Sequence, residues 1–197
     1  MKYIQDRLNG QGKINYQMVM TQIGEAARVT ADAGLSVSDH VPISTTVMKT
    51  EADAASCKLS YSVSTEGRLD NNFTSLSELS VKLLFRDVDK LVVEPYQDYQ
   101  NRATALALSA AGLARNFTED YNPRTFVVRL ILTYGRTLHS RLRANDLNNV
   151  VTEKELSDVK EAVVPFQEEE AAQRMAKAIV HAVELCGGGK DDNDPFK

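Results

Sequence analysis

Between residues 122 and 144 the chain carries five arginines, Arg124, Arg129, Arg136, Arg141 and Arg143, and no acidic side chain. A guanidinium presents a planar fork of N–H donors that can bridge a phosphate or a carboxylate. The segment therefore has two chemistries open to it: contact with the phosphates of single-stranded nucleic acid, or neutralisation by carboxylates of the protein itself. Suitable carboxylates follow at once. Residues 146–197 hold twelve acidic against six basic side chains, among them Glu153, Glu155, Glu161 and the run Glu168, Glu169 and Glu170. With a net charge of −4 for the whole chain, the charge balance favours pairing within one copy or between copies.

Catalytic and metal-binding patterns are sparse. His40, His139 and His181 stand far apart, with no second His or Cys at metal-ligand spacing. Ser157 and Lys160 have the spacing of a Ser/Lys nucleophile pair, but they sit on a charged stretch where the spacing is accidental. Gly187-Gly188-Gly189-Lys190 lacks the hydroxyl residue and the following helix that a phosphate loop needs. Cys57 and Cys186 read as reduced structural thiols, since the first residues form no hydrophobic leader. The expectation is a protein that is not an enzyme, with no cofactor and no metal, located in the cytoplasm.

Beyond the three glycines the chain ends in a polar stretch, Asp191-Asp192-Asn193-Asp194-Pro195-Phe196, and then Lys197. This stretch is similar to the acidic tip, ending in Pro-Phe, of bacterial single-stranded DNA-binding proteins. The resemblance implies a flexible tail whose Asp191, Asp192, Asp194, Pro195 and Phe196 dock on a partner protein. It covers six residues, and Lys197 displaces the terminal carboxylate that the family's tip presents. The rest of the chain has no Trp for base stacking and opens with an expected helix, unlike that family's oligonucleotide-binding barrel.

Positioning the arginines requires elements, and hydrophobic periodicity gives a first version of them. Residues 1–13 read as a polar arm. Val19, Ile23 and Ala27 fit a helix over residues 15–33, capped by Asn15 and stopped by Gly34. Strict alternation follows: Cys57, Leu59, Tyr61 and Val63 between serines and Lys58, then Leu79, Val81, Leu83 and Phe85. These predict strands with one wet face, joined by a long loop over 65–75. A threonine-rich strand at 43–50 and a short one at 90–93 complete a meander. From Pro95 the pattern turns helical, first over residues 99–113, where alanines allow close helix packing. Asn122-Pro123 can cap a central helix carrying Val127, Leu130, Ile131, Tyr134 and Leu138. On it Arg129, Arg136 and Arg143, seven residues apart, share one face. The competing reading makes residues 125–133 a buried strand ended by Gly135. Thr152 and Glu155 match a capping box for a short helix, and Met175, Ile179 and Val183 mark a last one that Gly187 stops.

The expected fold is thus α+β: a small antiparallel β-meander of about three or four strands, mainly within 43–93. It is covered by an N-terminal helix and a C-terminal helical half over 95–186. Residues 1–186 form one domain and 187–197 a glycine-rich acidic tail. No apolar run reaches the length of a membrane span. The expected function is a self-assembling structural or scaffold subunit acting through protein–protein contacts. The alternative is a single-stranded nucleic-acid-binding protein that uses the arginines and recruits partners through its tail.

Overall fold

Alternating side chains set the centre of the molecule. In β3 (Lys58–Leu69) and β4 (Phe73–Leu84) the residues Leu59, Tyr61, Val81 and Leu83 are buried on one face. Ser60, Ser62, Ser80 and Lys82 take the other face, because successive side chains of a strand point to opposite sides. The computed structural model describes residues 1–21, 38–69, 73–102, 125–145 and 150–188. Within them β3 and β4 belong to a six-stranded antiparallel sheet. Its remaining strands are β1 (Lys13–Thr21), β2 (Ser38–Asp53), β7 (His139–Asn145) and β8 (Val151–Leu156), and its order is β1-β2-β3-β4-β7-β8. A second sheet has the order β5-β6-β9, from β5 (Val88–Pro95), β6 (Phe126–Leu132) and β9 (Glu161–Phe166).

The expected small meander under a helical half is therefore corrected. The described residues are mostly strand, nine of them in two antiparallel sheets, and the C-terminal half supplies four. Residues 126–132 pair with β5 on one side and β9 on the other. That pairing makes it the central strand of its sheet, and apolar side chains stand on both of its faces, with Val127 buried on one and Val128 and Leu130 on the other. The run therefore reads as continuously apolar and no alternation betrays it. After it the chain reverses through Gly135, whose φ of +79° suits glycine, with the Arg136 N–H bonded to the Thr133 carbonyl at 2.9 Å. The apparent capping box at Thr152 lies in β8, an edge strand whose alternate glutamates mimic a helical signal. The expected helix at 15–33 begins instead as β1, and its remainder lies outside the described residues. The 65–75 loop is mostly ladder: Thr65 to Leu69 pair with Ser77 to Phe73. Residues 96–102 are helical, and the rest of the 99–113 expectation lies outside the described residues.

Two helices close the core. The presumed polar arm contains α1 (Lys2–Asn9), which buries Ile4 and Leu8, one turn apart. The last helix, α2 (Glu169–Leu185), buries Met175, Ile179 and Val183 as its spacing predicts. Val128 and Leu130 of β6, Val164 of β9 and the α2 residues join Leu59, Tyr61 and Val81 in one continuous core. Gly187, at φ +75°, ends α2. Its N–H bonds the Glu184 carbonyl at 3.0 Å, and that of Gly188 bonds the Val183 carbonyl at 2.9 Å, a paired arrangement that satisfies the last helical carbonyls. A Cβ on Gly188 would lie 2.8 Å from Val183 Cγ1 and 2.9 Å from the Phe85 carbonyl oxygen, so only glycine fits there.

The thiols are not reduced: Cys57 and Cys186 form a disulfide with a Cα–Cα distance of 5.8 Å. It fastens the end of α2 to the turn between β2 and β3. Two residues 129 apart in sequence give no sequence signal of pairing, because only the completed fold brings them together. No helix among the described residues is long and apolar enough to cross a membrane.

Candidate functional site

Strand β6 holds Arg129 on the side away from Val128 and Leu130. Directly opposite stand Val92 of β5 and Val163 of β9, which leaves the diagonal neighbours Glu94 and Glu161 within reach of the guanidinium. Its Nη1 lies 3.2 Å from Glu94 Oε1, and its Nε 3.2 Å from Glu161 Oε2. Arg102 makes a second fork onto Glu94, with Nη1 3.1 Å from Oε2, and this partner raises the Arg102 pKa. The Tyr99 ring lies 5.9 Å from the Arg129 guanidinium carbon, and burial raises the Tyr99 hydroxyl pKa. Side-chain exposure is 14% for Arg129 and 13% for Glu94. Two guanidinium groups thus face two carboxylates in a half-buried network that locks three strands and the 96–102 helical segment together.

Arg141 and Arg143 lie on the other sheet. On β7 they occupy alternate positions of the polar face, directly opposite Glu155 and Glu153 of β8. Arg141 reaches Glu155 at 3.1 Å and Glu153 at 3.6 Å, while Arg143 reaches Glu153 at 3.7 Å, all with side chains more than half exposed. Arg136, in the connection after β6, meets Asp87 at 3.7 Å. The helical row of Arg129, Arg136 and Arg143 is therefore not formed, because the three fall on β6, on the connection after it and on β7 of the other sheet. Each of the four described arginines has a carboxylate of its own chain within 4 Å. Arg124 and the tail residues Asp191, Asp192, Asp194, Pro195 and Phe196 lie outside the described residues.

No family model, curated protein or solved structure matches this chain.

The same polar face bears an open cleft of about 630 Å³, into which Lys58, Lys82 and His139 project beside Glu51, Asp53 and Asp87. Lys82 stands between Ser60 and His139 in one cross-strand row. The Asp53 carboxyl is held below its ordinary pKa chiefly by the Ser56 hydroxyl and the Ala55 N–H, with Lys58 adding a smaller pull. Three carboxylates against two lysines leave no cationic excess to attract a polyanion.

The sheet edges are treated unequally. Past the end of its pairing with β1, β2 would expose bare backbone. There Asn9 closes it, accepting the Thr50 N–H at 2.8 Å and donating to the Thr50 carbonyl at 3.0 Å, while Gln5 accepts the Ala52 N–H at 3.4 Å. At the end of the β4–β7 ladder, the Asn145 side chain accepts the Leu76 N–H at 2.6 Å. Side-chain amides thus blunt two open stretches, a recognised defence of sheet edges. The outer edges of β1 and β8 are the sheet's free margins among the described residues. Val151, at the start of β8, is about half exposed. The ribbon is narrow as well: β2 meets β3 only from Ile43 onward, so Ser38 to Pro42 pair with β1 alone among the described residues. Sequence reasoning missed these margins, since edge status depends on which strands pair and not on any residue pattern.

Proposed function

We propose that this protein is a non-enzymatic structural subunit that assembles with copies of itself through the free margins of its six-stranded sheet. The observation that carries the reading is that, among the described residues, β1 pairs with residues 38–42 of β2 as a two-stranded ribbon at one margin of the sheet, while β8 forms the other margin. An isolated two-stranded ribbon is marginal in water, and an unpaired edge is a template for another strand. A neighbouring copy answers both needs at once. That Asn9, Gln5 and Asn145 cap other open backbone makes the bare margins selective.

The alternative of single-stranded nucleic-acid binding is weaker. The described arginines that it needs are engaged by Glu94, Glu161, Asp87, Glu153 and Glu155, and the neighbouring cleft has no surplus of cations. The Cys57–Cys186 bond weighs against the cytoplasmic location, since cytosolic thiols are ordinarily kept reduced, and we assign the assembled protein to an oxidising environment. Light scattering at tens of micromolar protein, with and without an oligonucleotide, tests the reading. Particles of several chain masses that are unchanged by oligonucleotide are expected. A monomer in low and in moderate salt would remove the proposal, and mass gained only with oligonucleotide would favour the alternative.

A further inference from the structure

The assembly just proposed leaves its geometry open, and the strand directions and charges narrow it. We infer that copies join head to tail, with β8 of one copy pairing antiparallel to β1 of the next, and not as a two-fold dimer of like edges. The inference rests on the self-assembly reading.

The six strands alternate strictly in direction, so β1 and β8 run opposite ways. A second copy placed beyond β8 with its faces in the same sense therefore offers its β1 antiparallel to β8 without inversion. A two-fold dimer through β8 meets an obstacle. An axis normal to the sheet keeps each face on its own side and sets residues of like parity opposite one another. The two registers with the longest overlap put Glu153 against itself or against Glu155. Like charges directly opposite destabilise a ladder, and these glutamates lie on the exposed face beside Arg143 and Arg141.

Strand β1 removes that obstacle. Ile14 is buried opposite the buried Thr45, and Lys13 is exposed opposite Thr46. Thr46, Ser64, Glu78, Arg143 and Glu153 follow in one row across the sheet, so Lys13 shares the face of Glu153 and Glu155. Pairing residues 13–17 with residues 155–151 sets the Lys13 ammonium opposite Glu155 and Asn15 opposite Glu153. Opposite charge replaces like charge on the polar face, while on the other face Ile14 stands opposite the exposed Lys154. Such a heterologous contact builds a ring when the rotation closes and a filament when it does not.

Site-directed cross-linking tests the register. Lys13→Cys and Glu155→Cys are made in separately tagged copies that keep the native disulfide. They are mixed under mild oxidation and analysed by mass spectrometry. Both positions are exposed, and matched circular dichroism spectra confirm that each variant folds. The expected product is the mixed dimer, since opposed residues of an antiparallel pair have Cα atoms roughly 4.5–5.5 Å apart, with little product from either variant alone. A Glu155→Cys homodimer as the main product, or no cross-link in material that light scattering shows to be assembled, would overturn the inference and leave the assembly reading standing. A wild-type monomer in the same light-scattering measurement would instead remove both.

Discussion

Arg129 and Arg141 carry the same guanidinium, and the water around each decides what it contributes. Arg129 is largely enclosed between Glu94, Glu161 and the Tyr99 ring. Removing it leaves Glu161 without its partner and Glu94 with Arg102 alone, in a site only partly open to solvent, a loss on the order of 1–3 kcal/mol. Arg141 forms comparable ion pairs in the open, where solvent screening leaves less than about 1 kcal/mol. Urea denaturation of Arg129→Ala and Arg141→Ala is expected to show a large drop in midpoint for the first and a small one for the second. Equal drops would mean that the Arg129 network is no more enclosed than the surface pairs. Tyr61 gives a second residue-scale prediction. Its hydroxyl donates to the Val163 carbonyl at 3.1 Å, and burial pushes its pKa above the ordinary tyrosine value. A group whose folded pKa is raised contributes stability that is fully present below its unfolded pKa, about 10, and is lost progressively above it. Wild-type stability is therefore expected to fall as pH rises beyond about 10. Tyr61→Phe gives up about 1 kcal/mol at neutral pH with the lost hydrogen bond, but shows a shallower alkaline decline, measurable by urea titrations at pH 7 and above 10.

At the scale of elements, the clearest sequence signals are those that a single strand or helix carries by itself. The serine-spaced alternation of Leu59, Tyr61 and Val63 names β3, and the Met175, Ile179, Val183 stripe names α2, because each element shows one wet face and one dry one. The segment from Phe126 to Asn145 does not declare itself. Apolar residues stand on both faces of β6, Val127 and Ile131 on one and Val128 and Leu130 on the other, so its run has no period. Arg129, Arg136 and Arg143 fall seven apart by coincidence of two strands and a turn. What decides β6 is its pairing with β5 and β9, far away in sequence, and what decides β7 is β4. The strand reading of 125–133, with Gly135 as its stop, matches β6 and the turn after it, whereas the competing cap signal at Asn122-Pro123 lies outside the described residues. The candidate site was legible only in part. Its arginines and their acidic partners Glu153, Glu155 and Glu161 are visible as charge blocks, whereas Glu94 and Asp87 become partners only through the fold. The disulfide belongs to the same class. It closes a span of 129 residues, and in the chain-entropy account it stabilises the fold by about 3–5 kcal/mol through constraint of the unfolded chain. Adding a reductant, or replacing Cys57 and Cys186 with Ser, is expected to lower the denaturation midpoint accordingly. Unchanged unfolding under reduction would show that the bond does not constrain the chain in solution.

For the molecule as a whole, the two sheets, α1 and α2 account for one buried core, while the six-stranded sheet ends in margins that nothing described covers. The amide caps on β2 and β4 show how this chain closes open backbone where no partner is needed. Left bare, the outer edges of β1 and β8 fit contact between copies, and the charge rows on the polar face fit one polarity of contact better than the other. The phosphate chemistry that the arginine-rich segment first suggests is largely used up within the fold, where the described arginines of that segment meet carboxylates of the same chain. Amide hydrogen exchange of Val151–Leu156, followed at submicromolar and at tens of micromolar protein, tests the central claim most directly. The account predicts that the outward amides of β8 exchange markedly more slowly at the higher concentration, together with those of β1. Rates that are identical at both concentrations would contradict it.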